Sequence, residues 1–159
     1  MVTGFTGHQD LGSVATCAWV RKQIKSAALN HQVDLGVMSL AIGADQLFAA
    51  VLAELKINFE VVVPCRRYEE TFDRAALSRY RHFLALATKM YVLDFDEPSE
   101  RAYYEAGKVI VNRSALIIAV WNGKPAKGLG GTADVVRYAQ QKSKVVIHID
   151  PEQHRVVII

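Results

Sequence analysis

Three groups of residues in this sequence can do chemistry, and all of them fall where a turn is expected. The first is a glycine- and lysine-rich stretch, Asn122-Gly123-Lys124-Pro125-Ala126-Lys127-Gly128-Leu129-Gly130-Gly131-Thr132. Its glycines let the backbone approach a ligand closely, and Lys124 and Lys127 add positive charge. A short apolar-periodic segment, 133–141, follows, with Thr132 expected as its N-cap. A helix N-terminus offers N–H groups without intrahelical partners and the positive end of a dipole, so this loop suits an anion such as a phosphate. The second group is three carboxylates, Asp45, Glu100 and Asp134. Cleavage of an N-glycosidic bond needs a carboxylate near the anomeric carbon, to stabilise developing positive charge or to activate water. All three also lie in expected first helical turns, where an acid serves equally as a cap or a dipole partner. The third group is scattered: Thr6, Gly7 and His8; Gly43 and Ala44; Arg66 and Tyr68. Tyr68, Tyr104 and Trp121 can stack on a base, although Tyr104 and Trp121 suit the core equally well.

None of the best-known phosphate signatures is complete. Gly123 to Gly128 has the spacing of a P-loop, but Leu129 stands where the lysine belongs. Gly7 to Gly12 has the same spacing, and Ser13 follows without a lysine. No G-x-G-x-x-G occurs, and the histidines His31, His82, His148 and His154 show no metal spacing, so neither a cofactor nor a metal is implied.

The elements that must position these residues alternate regularly. Strands are expected at 1–5, 35–40, 59–63, 90–93, 115–121 and 145–149, with a short edge strand at 156–159. Helices are expected from Ser13 to about 30, over about 45–56, about 69–87, from Ser99 to about 113, and over 133–142. This alternation implies an α/β three-layer sandwich with a mainly parallel sheet of about six to seven strands, spanning 1–159 as one domain. In such a sheet ligands bind beyond the carboxyl ends of the strands. The loops at 6–12, 41–45, 64–68 and 122–132 all share that edge.

The totals narrow the class. Of 159 residues, 51% are hydrophobic, which suits a globular core. The 19 basic and 16 acidic residues leave a net charge of +3, too balanced to indicate nucleic acid, which is therefore not expected as a partner. Cys17 and Cys65 have no paired spacing, which fits a reducing cytoplasm. No secretory signal or membrane span is expected. A mean hydropathy of +0.11 and the apolar segment 156–159 lead us to expect a homo-oligomer.

Several of these segments together resemble a known family. Gly4-Phe-Thr-Gly-His8, Ser39-Leu-Ala-Ile-Gly-Ala-Asp45, and the run from Leu116 to Ala126 with Gly130-Gly-Thr132 are similar to the SLOG superfamily, the Rossmann-like domains of DprA and LOG type. The resemblance covers nearly the whole chain. It implies a pocket for a nucleotide or nucleotide-derived ligand, with Gly7, His8, Gly43 and Asp45 facing the ligand and Gly130, Gly131 and Thr132 holding its phosphate. Glu100 and Tyr104 fall in the helix before the fifth strand. The LOG enzymes carry P-G-G-x-G-T-x-x-E, whereas Val135 stands here at the glutamate's place. Asp134 lies one residue earlier, about 100° around the helix. Binding of a nucleotide-type small molecule is thus the leading expectation. Hydrolysis of the N-glycosidic bond of a nucleoside monophosphate, carried by Asp45, Glu100 or Asp134, is the alternative.

Overall fold

In the computed structural model, which describes all 159 residues, each apolar run has become a strand and each amphipathic run a helix. The order is β1 (Val2–Gly7), α1 (Val14–Asn30), β2 (Leu35–Met38), α2 (Ala44–Glu54), β3 (Asn58–Val63), a 3₁₀ turn (Tyr68–Thr71), α3 (Arg74–Leu86), β4 (Lys89–Val92), α4 (Glu100–Arg113), β5 (Leu116–Val120), α5 (Thr132–Gln141), β6 (Val145–Asp150) and β7 (Arg155–Ile158). The strands form one seven-stranded sheet in the order β4-β3-β2-β1-β5-β6-β7. Every neighbouring pair is parallel except β6 and β7. The chain therefore winds outward from β1 to β4, and α4 then carries it back to the other side of β1. The reversal leaves a crevice between the carboxyl ends of β1 and β5, where open α/β sheets place their ligands. This is a Rossmann-like arrangement.

β5 shows why the sheet is central. All of Leu116 to Val120 are buried, because helices cover both faces. On one face Phe5, Ile118 and Ile147 pack against Val20 and Ile24 of α1 and Phe48 and Leu52 of α2. The Phe5 and Phe48 rings stack at 4.5 Å. On the other face Ile117, Ala119 and Val146 meet Val111 of α4 and Val135 and Val136 of α5. Burying a side chain of this size contributes roughly 1.5–3 kcal/mol.

Side-chain oxygens start three of the helices. Ser13, Asp73 and Ser99 accept from the N–H groups of Thr16, Ala76 and Ala102 at 3.1, 2.8 and 3.1 Å. Asp73 corrects one expectation. By capping α3 it separates that helix from the 3₁₀ turn, so 69–87 is not one helix. α5 corrects another. Thr132 is its first residue, Gly131 holds the cap position, and no side chain caps it. β1 runs on to Gly7 because Thr6 and Gly7 pair with Ala119 and Val120. β2 stops at Met38, ahead of Leu40 in the left-handed region at φ 56°. β7 lies antiparallel on β6 at one sheet edge, with Val156 and Ile158 exposed. No helix is long and apolar enough to cross a membrane.

Candidate functional site

Three loops meet at His8. Its backbone N–H donates to the Val120 carbonyl at 3.0 Å, and its carbonyl accepts from the Ala44 N–H at 3.0 Å. Its Nε2 accepts from the Asn122 N–H at 3.1 Å, which places the ring proton on Nδ1. The loops after β1, β2 and β5 are thus joined through one residue. Glycines let them pack this closely. A Cβ on Gly7 would stand 2.5 Å from the Ala44 methyl, and one on Gly43 would land on the Gln9 carbonyl.

The loop after β5 folds down on the start of α4. A Cβ on Gly130 would lie 2.7 Å from the Tyr104 nitrogen and 2.8 Å from the Glu100 carbonyl, and Gly130 has φ 88°. Its N–H donates to Asp134 Oδ2 at 3.1 Å, so Asp134 braces the loop. The N–H groups of Asp134 and Val135 both return to the Gly131 carbonyl. Those of Thr132 and Ala133 precede the first bonded turn and have no partner in the chain. The Thr132 hydroxyl also makes no hydrogen bond within the chain, although the residue is only 9% exposed.

A cavity of about 530 Å³ opens beside these groups, within the range typical of small-molecule sites. Its polar wall carries Thr6, Gly7, His8, Lys127, Gly128, Gly130, Gly131 and Thr132. Its apolar wall carries Ile42, Pro64, Phe72 and Tyr103. Tyr68 joins the two: its ring packs edge-on against Phe72 at 5.0 Å, and its hydroxyl, like that of Thr132, has no partner in the chain. Burial first, and then the nearby Asp45 charge, push that hydroxyl well above its ordinary pKa, so it stays a donor.

Asp45 lines the same cavity but is 5% exposed. Its Oδ2 accepts from the N–H groups of Ser39 and Ala41 at 3.1 and 3.4 Å, closing the loop after β2. Burial pushes its carboxyl up to about 7, against the opposing pull of those N–H groups. The unfolded chain ionises it near 3.8. A raised carboxyl pKa gives stability that is complete below pH 4 and is lost as pH rises through 7. Asp45→Asn keeps an acceptor without that ionisation. Urea denaturation at pH 5 and pH 8 should show the Asn variant gaining relative to wild type by a few kcal/mol at the higher pH. An unchanged difference between the two pH values would mean that Asp45 ionises freely.

A second cleft, of about 930 Å³, lies on the other side of the glycine loop. Asn122 and Lys124 line it, and both bond to Glu152, at 2.8 and 3.0 Å. The two spaces share His8, Gln9, Lys127, Gly131 and Thr132.

Other residues singled out from the sequence lie elsewhere. Arg66 borders neither space; its guanidinium pairs with Asp94 at 2.6 Å and Asp96 at 2.8 Å. Gly43 and Ala44 stand behind the wall, and Gly123 sits at an open loop tip. Glu100 is exposed and packs under Gly128. Of the three candidate carboxylates only Asp45 faces a cavity, so they do not converge. Tyr103 lines the cavity, while Tyr104 turns toward Tyr138 at 6.4 Å. The sequence drew attention to the wrong member of this pair because adjacent residues point about 100° apart on a helix. Trp121 Nε1 donates to the Lys124 carbonyl at 2.7 Å, and the ring borders the second cleft.

No protein-family model matches the sequence, and no curated protein matches it by sequence. Solved structures do match by shape. DNA processing protein A from Streptococcus pneumoniae superposes with a TM-score of 0.67 at 16% identity, over 92% of this chain and 49% of that one. DNA processing protein A from Helicobacter pylori, described as having a unique single-stranded DNA binding mode, superposes with a TM-score of 0.67 at 15% identity, over 93% and 64%. The chain thus spans about half to two thirds of the length of these neighbours, and what it shares with them is the Rossmann-like fold. The second neighbour overturns the exclusion of nucleic acid drawn from the balanced charge. A net charge of +3 averages over the surface and says nothing about backbone N–H donors gathered at one loop.

Proposed function

We propose that the chain binds a nucleotide-type ligand at the carboxyl edge of the sheet. The phosphate lies on Gly130, Gly131 and Thr132 at the start of α5, and the nucleoside lies against Tyr68, Phe72 and Tyr103. One observation carries this reading: an uncapped helix start beside the unpartnered hydroxyl of Thr132, a residue only 9% exposed, at the cavity wall. No buried side-chain oxygen lacks a partner, so this hydroxyl opens to the cavity, where a ligand oxygen can accept from it. Lys127, which forms no ion pair, adds charge at the same place. Single-stranded DNA, the ligand named for the Helicobacter pylori neighbour, is a polymer of the same unit and falls within this reading. The three carboxylates lend no support to N-glycosidic hydrolysis, since two lie away from the cavity and Asp45 is held by backbone N–H groups.

Calorimetry with thymidine 5′-monophosphate and with inorganic phosphate tests the reading. Thr132→Val replaces the hydroxyl with a methyl at nearly constant size. Loss of one hydrogen bond to a charged oxygen should weaken binding about tenfold or more. Lys127→Ala should cost about tenfold at most and lose its effect in high salt. Wild-type protein that takes up neither ligand at millimolar concentration would overturn the proposal.

A further inference from the structure

We infer that an anion held at the start of α5 binds together with a proton, which Asp45 takes up. This rests on the reading that a phosphate occupies the Gly130–Thr132 turn, and it gives Asp45 a part in binding that requires no bond to be cleaved. Asp45 and the phosphate seat border one cavity. Asp45 follows β2 and the seat follows β5, and β1 lies between them in the sheet. They therefore stand two strand spacings apart along the sheet edge, about 10 Å. The carboxyl is not sealed from the cavity. Its Oδ2 accepts from Ser39 and Ala41, and its Oδ1 makes no hydrogen bond. No fully buried side-chain oxygen lacks a partner, so Oδ1 opens to the cavity.

The surroundings leave Asp45 without a countercharge. On its own helix Gln46 turns its Oε1 to Arg79 of α3, at 3.2 Å, and so occupies that guanidinium. The 3₁₀ turn contributes Tyr68, whose hydroxyl stays protonated. The other titratable groups on the cavity wall are His8 after β1, Tyr103 of α4 and Lys127 in the glycine loop. Lys127 is the one lysine or arginine among them, and it belongs to the phosphate seat. Burial, with no cation opposing it, holds the carboxyl at about 7. An anion on the seat adds a like charge to the same cavity and displaces water from it. Both effects favour the neutral carboxyl. Like charges about 10 Å apart at an effective dielectric of ~20 oppose each other by about tenfold in an equilibrium constant. A bound anion therefore moves the titration of Asp45 to higher pH. A carboxyl whose pKa rises on binding takes up protons, so binding tightens as pH falls through that range and weakens as pH rises above it.

Calorimetry with thymidine 5′-monophosphate at pH 7.5, in two buffers of different ionisation enthalpy, counts the protons taken up. Wild type should take up about half a proton more than Asp45→Asn. The protons of the ligand itself and of His8 are common to both proteins and cancel in the difference. Affinity should follow. Asp45→Asn, whose amide is always neutral, should bind several-fold more tightly than wild type at pH 8.5 and equally at pH 6. A second readout needs no variant. In ¹³C NMR the assigned Asp45 carboxyl should titrate near 7 in the free protein and at higher pH under saturating ligand. An Asp45 titration that saturating ligand leaves in place would overturn this inference alone, as would equal proton uptake by wild type and a folded Asp45→Asn protein. Absence of binding to wild type at every pH would overturn the phosphate reading with it.

Discussion

Gly131→Val is expected to weaken nucleotide binding on the order of 100-fold while costing less than about 1 kcal/mol of stability. Gly131 has φ −69° and ψ 170°, a conformation open to any residue, so the backbone itself is not strained by a side chain. The penalty is spatial. A Cβ there would stand 2.9 Å from the Ala126 Cβ, and the added methyls must either push the loop outward or fill the space before the Thr132 and Ala133 N–H groups. Either outcome separates the anion from two backbone donors, each contributing roughly 1.5–3 kcal/mol to a charged oxygen. Calorimetry on folded protein checks the ordering, with Gly131→Val losing more than Thr132→Val and Thr132→Val more than Lys127→Ala. A Gly131→Val protein that binds like wild type while Lys127→Ala fails would mean that side-chain charge alone holds the phosphate.

The largest stability loss is expected at Gly43, a residue that lines neither space. Gly43 adopts φ 88° and ψ −121°, where L-residues are strained by about 1–3 kcal/mol. A Cβ there would also lie 2.6 Å from the Gln9 carbonyl carbon. That carbonyl cannot withdraw cheaply, because the adjacent His8 carbonyl is bonded to the Ala44 N–H. Gly43→Ala should therefore cost roughly 3 kcal/mol or more, a large share of the stability of a domain this size. Gly123→Ala is the control. Its φ is 78°, but nothing lies within 4 Å, so only the left-handed penalty of about 1–2 kcal/mol applies. Urea denaturation of both variants separates strain from collision. Equal losses would mean that the first two loops are not locked together at His8.

The sequence by itself determined the elements and their class, because the information for these is local. The run of seven apolar residues at 115–121 reads as a strand covered on both faces, and the structure buries its central five, Leu116–Val120, as β5, with Ala115 exposed and Trp121 half-buried. Ser13 and Ser99 announce helices because a short side-chain oxygen before an apolar period has one good use. The glycine loop is proposed as an anion site on equally local grounds, since a loop and the helix after it are neighbours in the chain. Tertiary structure decided which residues face the cavity. Arg66 looked free to meet a ligand until the fold brought Asp94 and Asp96 to it, from 28 and 30 residues away. Tyr103 and not Tyr104 lines the wall because the phase of α4 is set by its packing on the sheet, which single tyrosines do not reveal. Asp45 became a buried loop clamp, and Thr132 passed from expected cap to unpartnered hydroxyl, when Gly131 took the cap position. The second cleft was not legible at all, since its walls come from loops at 8–12, 121–127 and 151–154. Parallel strands pair only across long stretches of chain, so loops that share an edge are brought together by the sheet order, and side-chain neighbours there are fixed by contacts that no local pattern encodes.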